Sequence, residues 1–142
     1  MADAQKIAVI GLGYVGLPLA IHLARQFPVI GLDIDLRRVE ELRAGHDRTR
    51  EIEPEMLAAT TMQFTTDPGT IRGSDIYIVT VPTPVDASNK PDLAAVKGAS
   101  RLVGAVIEKG AIVVYESTVY PGVTEDIAGP ELEAASGLKC GV

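Results

Sequence analysis

The chain holds a single cysteine, no tryptophan, four tyrosines and two phenylalanines among its 142 residues. One cysteine, Cys140, excludes an intramolecular disulfide and points to a reducing compartment. No apolar run approaches the roughly 20 residues a membrane-spanning helix needs. The apolar opening is broken by glycines where an export signal requires an uninterrupted core, so the expectation is a cytoplasmic protein with no membrane partner. Positive charge is also scarce. Thirteen lysines and arginines face nineteen acidic residues, a net charge of −6, which argues against a nucleic-acid surface. H-E-x-x-H, C-x-x-C and Walker patterns are missing, and Cys140 has no histidine or cysteine at ligand spacing, so no metal site is expected. No repeat, low-complexity tract or Gly/Ser/Pro linker divides the sequence, and residues 1–142 read as one domain.

What is present is a regular alternation. Ile7 to Ile10 is a short β-branched run suited to a strand buried on both faces. Tyr14 to Gln26 carries Val15, Leu19 and Leu23 at helical spacing, and Val29 to Leu32 is a second strand. Asp35 can cap a helix running to Ala44 with Val39 and Leu42 on its inner face, and Gly45 ends it. A charged connection, Asp47 to Glu53, leads to a short helix from Pro54 to Ala59, with the proline in its first turn. Met62 to Thr65 and Ile76 to Val81 are further strands. Asp92 to Glu108 reads as a long helix ended by Gly110, and Ala111 to Tyr115 as the next strand. Gly122 to Ala135 reads as a last helix that Pro130 threatens to break. Strands alternating with helices, joined by right-handed crossovers, predict an α/β domain with a doubly wound, mainly parallel sheet.

The chemistry concentrates at the start. Gly11-Leu-Gly13-Tyr-Val-Gly16 follows the first strand and opens the first helix. Gly11 permits the tight turn, Gly13 lets the backbone approach a pyrophosphate, and Gly16 allows helix and strand to pack closely. The helix N-terminus then offers N–H groups and positive potential to phosphates. Asp33 lies 17 residues after Gly16, at the end of the second strand, where a carboxylate can bind both ribose hydroxyls and repel a 2′-phosphate. NAD is therefore favoured over NADP, with Arg38 as the countervailing feature, since an arginine there could meet a 2′-phosphate. Helix capping is the competing role for Asp33, but Asp35 is better placed for it. Val81-Pro-Thr83-Pro84 and Glu116-Ser-Thr118 each follow a strand, at the sheet edge where ligands of such folds bind. Read alone, the first is a turn, and Ser117 and Thr118 are helix-capping hydroxyls without a nearby histidine. His22 and His46 read as structural or solvated, and Cys140 as incidental.

Gly11-Leu-Gly-Tyr-Val-Gly-Leu-Pro-Leu-Ala20, Val81-Pro-Thr-Pro84, Pro91-Asp-Leu93 and Glu116-Ser-Thr-Val-Tyr-Pro-Gly122 together resemble the UDP-glucose/GDP-mannose dehydrogenase family. Gly45-His-Asp47, taken with the last of these segments, resembles the branch acting on UDP-N-acetylhexosamines in capsule, O-antigen or Vi polysaccharide synthesis. The resemblance implies a Rossmann-type NAD-binding domain. In that family the sugar C6 alcohol is oxidised to a carboxylate with two NAD through a cysteine thioester. Gly11, Gly13, Tyr14, Val15 and Gly16 would hold the pyrophosphate, and Asp33 and Arg38 would flank the adenosine ribose. Arg38 matches a basic residue also found in NAD-using members. Val81, Pro82 and Thr83 join the cofactor-binding set, with Thr83 and Thr118 on the nicotinamide side and Thr118 also serving catalysis.

The family's catalytic cysteine lies far downstream, and Cys140 is not in its context. The chain stops short of a Tyr-Ser-Pro-Glu-Arg motif, so the resemblance covers the N-terminal cofactor domain, without the central and UDP-binding domains. The expectation is NAD binding without turnover, and a homodimer for the intact enzyme. A stand-alone, non-catalytic NAD-binding or regulatory module is the alternative. A 3-hydroxyacyl or 6-phosphogluconate type dehydrogenase would not be expected to carry the Val81–Pro84 and Glu116–Gly122 pair.

Overall fold

Ile7–Ile10 forms β1, and its alternation organises the molecule: Ile7 and Val9 enter one apolar cluster, Ala8 and Ile10 another on the opposite face. A strand buried on both sides belongs at the centre of a parallel sheet, and β1 lies there. The computed structural model describes residues 5–85, 87–90, 92–116 and 123–141. In it β1 pairs with β2 (Val29–Leu32) and β4 (Ile76–Val79), β2 pairs outward with β3 (Gln63–Thr65), and β4 with β5 (Ile112–Tyr115), all parallel. The order β3-β2-β1-β4-β5 puts the reversal of winding between β1 and β4. The crevice beyond the carboxyl ends of those two strands is the usual ligand position in doubly wound sheets.

Helices α1 (Gly16–Leu23), α2 (Leu36–Arg43) and α3 (Pro54–Ala59) lie in the first half, and α4 (Ala94–Gly104) and α5 (Gly129–Ser136) in the second. Leu17, Ala20, Leu42 and Leu57 pack with Ile7 and Val9, whereas Ala99, Val103 and Leu132 pack with Ala8 and Ile10. The doubly wound α/β expectation is met. So is the Asp35 cap, whose carboxylate accepts from Arg37 N–H at 3.0 Å, and the proline in the first turn of α3.

The differences from the sequence expectation are local. The first helix is shorter than Tyr14 to Gln26: residues 11–15 form the glycine loop, and Arg25 and Gln26 close tight i→i−3 bonds to His22 and Leu23. The fourth helix starts at Ala94, whose N–H bonds the Asp92 carboxylate at 2.9 Å, and ends at Gly104, short of Glu108. The strand expected through Val81 ends at Val79, where its partner β5 also ends. Pro130 does not split the last helix. A π-helical turn, Thr124–Ala128, leads directly into α5, and Pro130 sits in the first turn of α5, where a missing N–H is tolerated. A 3₁₀ turn at Pro68–Ile71, capped by Asp67, was not expected from the sequence.

Candidate functional site

A cleft of about 690 Å³ opens at the carboxyl ends of β1, β2 and β4. Its floor is the glycine loop from Gly11 to Val15, and one wall is the segment from Leu32 to Asp35 with Arg38. Gly11 has φ +96°, a left-handed turn that a side chain would strain. Its N–H bonds Leu32 O at 2.8 Å, which ties the loop to the end of β2. A Cβ at Gly13 would find nothing within 4 Å, so the backbone there faces open space. A Cβ at Gly16 would run into the Gly11 carbonyl oxygen and Thr80 Oγ1, because α1 lies directly against the loop.

Side chains from three elements grip this loop. Asp33 Oδ2 accepts from Leu12 N–H at 2.9 Å, while Oδ1 accepts from Asp35 N–H at 2.9 Å. Arg38 Nε donates to the carbonyl of the same Leu12 at 2.7 Å. Thr80, just past β4, directs its hydroxyl at the carbonyls of Gly11 (2.7 Å) and Ile10 (3.0 Å). Arg38 is 3% exposed, and its Nη1 is paired with Asp47 at 2.9 Å and with Glu41. Its Nη2 is buried with no hydrogen-bond partner among the described residues. A buried cationic donor without an acceptor is costly, and it marks a place for an acceptor from outside the chain.

Asp47 anchors the segment behind Arg38. Its carboxylate also accepts from the Thr49 hydroxyl at 2.6 Å and from the backbone N–H groups of Thr49, Glu51 and Ile52. Burial pushes this carboxyl up, but the Thr49 hydroxyl, the Arg38 guanidinium and the backbone donors outweigh it and hold its pKa at about 2. Glu41 is likewise pushed up by burial, yet bonds from Arg38 and Arg48 keep it below its ordinary value.

Gly11, Gly13, Tyr14, Val15, Asp33, Arg38, Val81, Pro82 and Thr83 all line the cleft, while Gly16 supports it from behind. Tyr14 and Val15 are exposed at its lip. Thr118 and Ser117 lie outside the described residues. His22 and His46 are exposed and away from the cleft. Cys140 is exposed, with burial of the sulfur and the neighbouring Glu133 raising its thiol pKa. A second cavity of about 850 Å³, beside the exposed edge of β5, contains none of the glycine-loop residues.

Asp47, Thr80 and one face of α4 contribute to the site without being singled out by the sequence. Thr80 sits at a strand end whose hydroxyl has no sequence signature. Ala94, Ala95, Gly98 and Ala99 give α4 a small-residue face toward the cleft. That face follows i, i+1, i+4, i+5 spacing, a helical pattern readable in the sequence.

The residues present fit a dinucleotide: a glycine turn with open space at its centre, a carboxylate at the end of β2 and an orphaned arginine donor at the wall. Fold and cleft thus define a Rossmann-type dinucleotide-binding domain. Residues 5–142 match the family model for the NAD binding domain of UDP-glucose/GDP-mannose dehydrogenases, and the chain belongs to that family. It is 48% identical over 137 residues to Protein CapL of Staphylococcus aureus, covering 96% of this chain and 32% of that protein. It is 47% identical over 135 residues to a UDP-N-acetyl-D-glucosamine 6-dehydrogenase of Pseudomonas aeruginosa, covering 94% and 32%. The solved UDP-D-ManNAc dehydrogenase from Pyrococcus horikoshii superposes with a TM-score of 0.87 at 36% identity, covering 97% of this chain and 34% of that one. The chain therefore spans about a third of the length of the curated relatives it matches.

Proposed function

We propose that this chain is the cofactor-binding domain of an NAD-dependent UDP-N-acetylhexosamine 6-dehydrogenase. The open cradle at Gly13, set beside Asp33, carries the reading. The backbone from Gly13 to Gly16 would hold the pyrophosphate, with the N-terminus of α1 behind it. Asp33 spends one lone pair of each oxygen on the protein, and the remaining pairs would accept the adenosine ribose hydroxyls. The same carboxylate would repel a 2′-phosphate, which favours NAD over NADP. Arg38 would meet an acceptor on the adenosine side through Nη2. Thr83, and Thr118 by family resemblance, would bound the nicotinamide end. When bound, NAD supplies the hydride acceptor for oxidation of the sugar C6 alcohol. The sugar class is supported by the relatives' names and by the Gly45-His-Asp47 segment.

Calorimetric titration tests the cofactor assignment. NAD should bind with a single site, NADP at least tenfold more weakly, and Asp33→Asn should narrow that ratio. Equal affinity for the two cofactors in the unsubstituted chain would contradict the role given to Asp33. A UDP-N-acetylhexosamine added with NAD should yield no NADH from this chain alone, read at 340 nm. Steady NADH formation would show that the chain carries its own catalytic nucleophile.

A further inference from the structure

Asp47 to Glu53 reads from the sequence as a charged connection, yet Asp47 within it has a side chain only 1% exposed. Its carboxylate has two kinds of partner. Thr49, Glu51 and Ile52 belong to its own loop and shape the turn. Arg38 belongs to α2 and lines the cleft. Arg38 in turn holds the Leu12 carbonyl, and Asp33 holds the N–H that starts the same residue. The chain of contacts therefore runs from Asp47 through Arg38 to the centre of the glycine loop.

We propose that Asp47 is a positioning residue of the cofactor site, holding the Arg38 guanidinium so that Nε fixes the Leu12 carbonyl at the centre of the glycine loop. The proposal rests on the reading of the cleft as an NAD site. A guanidinium is planar, so fixing Nη1 and Nε leaves Nη2 one direction. Asp47 and Glu41 both hold Nη1, but Glu41 rides on α2 with Arg38, whereas Asp47 ties Arg38 to a separate segment. Without Asp47 the guanidinium can turn about its long stem. The Leu12 carbonyl then loses its donor, and the centre of the glycine loop is no longer fixed.

Two readouts test this, one without any ligand. In the ¹⁵N-labelled chain, the Arg38 Nε–H should exchange with water far more slowly than the exposed arginines. Asp47→Asn should speed that exchange at least tenfold and weaken NAD by about tenfold, as loss of a charged hydrogen-bonded partner implies. Ile52→Val, which trims a buried side chain of the same segment and leaves the Asp47 carboxylate and the cleft lining intact, should leave both readouts within about twofold. A double-variant cycle separates positioning from general destabilisation. In an Arg38→Met background, Asp47→Asn should cost no further NAD affinity. That double variant also removes both buried charges together, so it serves if Asp47→Asn alone does not fold. Unchanged Arg38 exchange in Asp47→Asn would overturn the proposal, as would an equal loss of affinity with and without Arg38. Failure of the unsubstituted chain to bind NAD would instead count against the cofactor reading, and the exchange experiment would still decide the hold of Asp47 on Arg38.

Discussion

A methyl group added at Gly13 would meet nothing within 4 Å, whereas one added at Gly16 would collide with the Gly11 carbonyl and Thr80 Oγ1. The two glycines of one motif are thus required for different reasons, and the variants should separate binding from stability. Gly16→Ala forces backbone against backbone and should cost about 2–3 kcal/mol, as overpacked sites do. For a domain of this size that lowers Tm by roughly 5–10 °C. Gly13→Ala should leave Tm within about 2 °C, since its Cβ finds only open space and its φ is not in the left-handed region. Its NAD affinity should nevertheless fall more than tenfold, because that space is where the pyrophosphate is proposed to lie. Thermal unfolding and calorimetry on the same two samples check both halves. A Gly13→Ala chain that binds NAD normally would remove the pyrophosphate from that position.

At the scale of elements, the segment from Asp47 to Ile52 is a folding device as well as a support for the site. Asp47 has its pKa depressed to about 2 from an ordinary 3.8. The stability that its ionised form contributes is complete above pH 3.8 and drains away as the pH falls toward 2. By linkage that difference corresponds to roughly 2 kcal/mol. Asp47→Asn should therefore unfold more easily at neutral pH and show a flatter loss of stability between about pH 4 and 2, measured by urea denaturation at each pH. A profile as steep as that of the unsubstituted chain would place the acid sensitivity elsewhere. The α4 face makes the opposite kind of prediction. Gly98 sits in mid-helix, lines the cleft and has open space at its Cβ. Gly98→Leu should raise stability by about 0.5–1 kcal/mol through helix propensity while weakening NAD, because the new side chain enters the cleft. These elements differ in how far the sequence disclosed them. The limits of α2 were readable because Asp35 caps it and Val39 and Leu42 mark its buried face. The start of α1 was overestimated because Tyr14 and Val15 continue the helical spacing while serving the loop. The glycine motif and Asp33 were legible because their chemistry needs particular residue types at fixed spacing. Asp47, Thr80 and the inward turn of Arg38 were not, because their roles depend on contacts between segments as far as 70 residues apart.

Across the whole molecule, the cleft is built from the ends of β1, β2 and β4 and from α4, so a single ligand there would bridge elements on both sides of the winding reversal. The two larger apolar clusters lie on opposite faces of the sheet. A ligand that joins the loop after β1, the end of β2 and the face of α4 therefore braces the domain as a unit and should not merely order one loop. Binding confined to the folded state stabilises by RT ln(1 + [L]/Kd), about 2.7 kcal/mol at a hundredfold excess over Kd. For this chain length the corresponding rise in Tm is roughly 5–10 °C. The shift should increase with the logarithm of NAD concentration and be much smaller with NADP at the same concentration. It should fall to about half or less in Gly13→Ala while persisting in Ile52→Val, which keeps the cradle and the Arg38 hold. Differential scanning fluorimetry across an NAD series is sufficient to read it. A flat series for the unsubstituted chain, with normal folding, would mean that the glycine loop and Asp33 do not together hold the cofactor in this chain. A rise of equal size with NADP would mean that Asp33 does not face the ribose 2′-position.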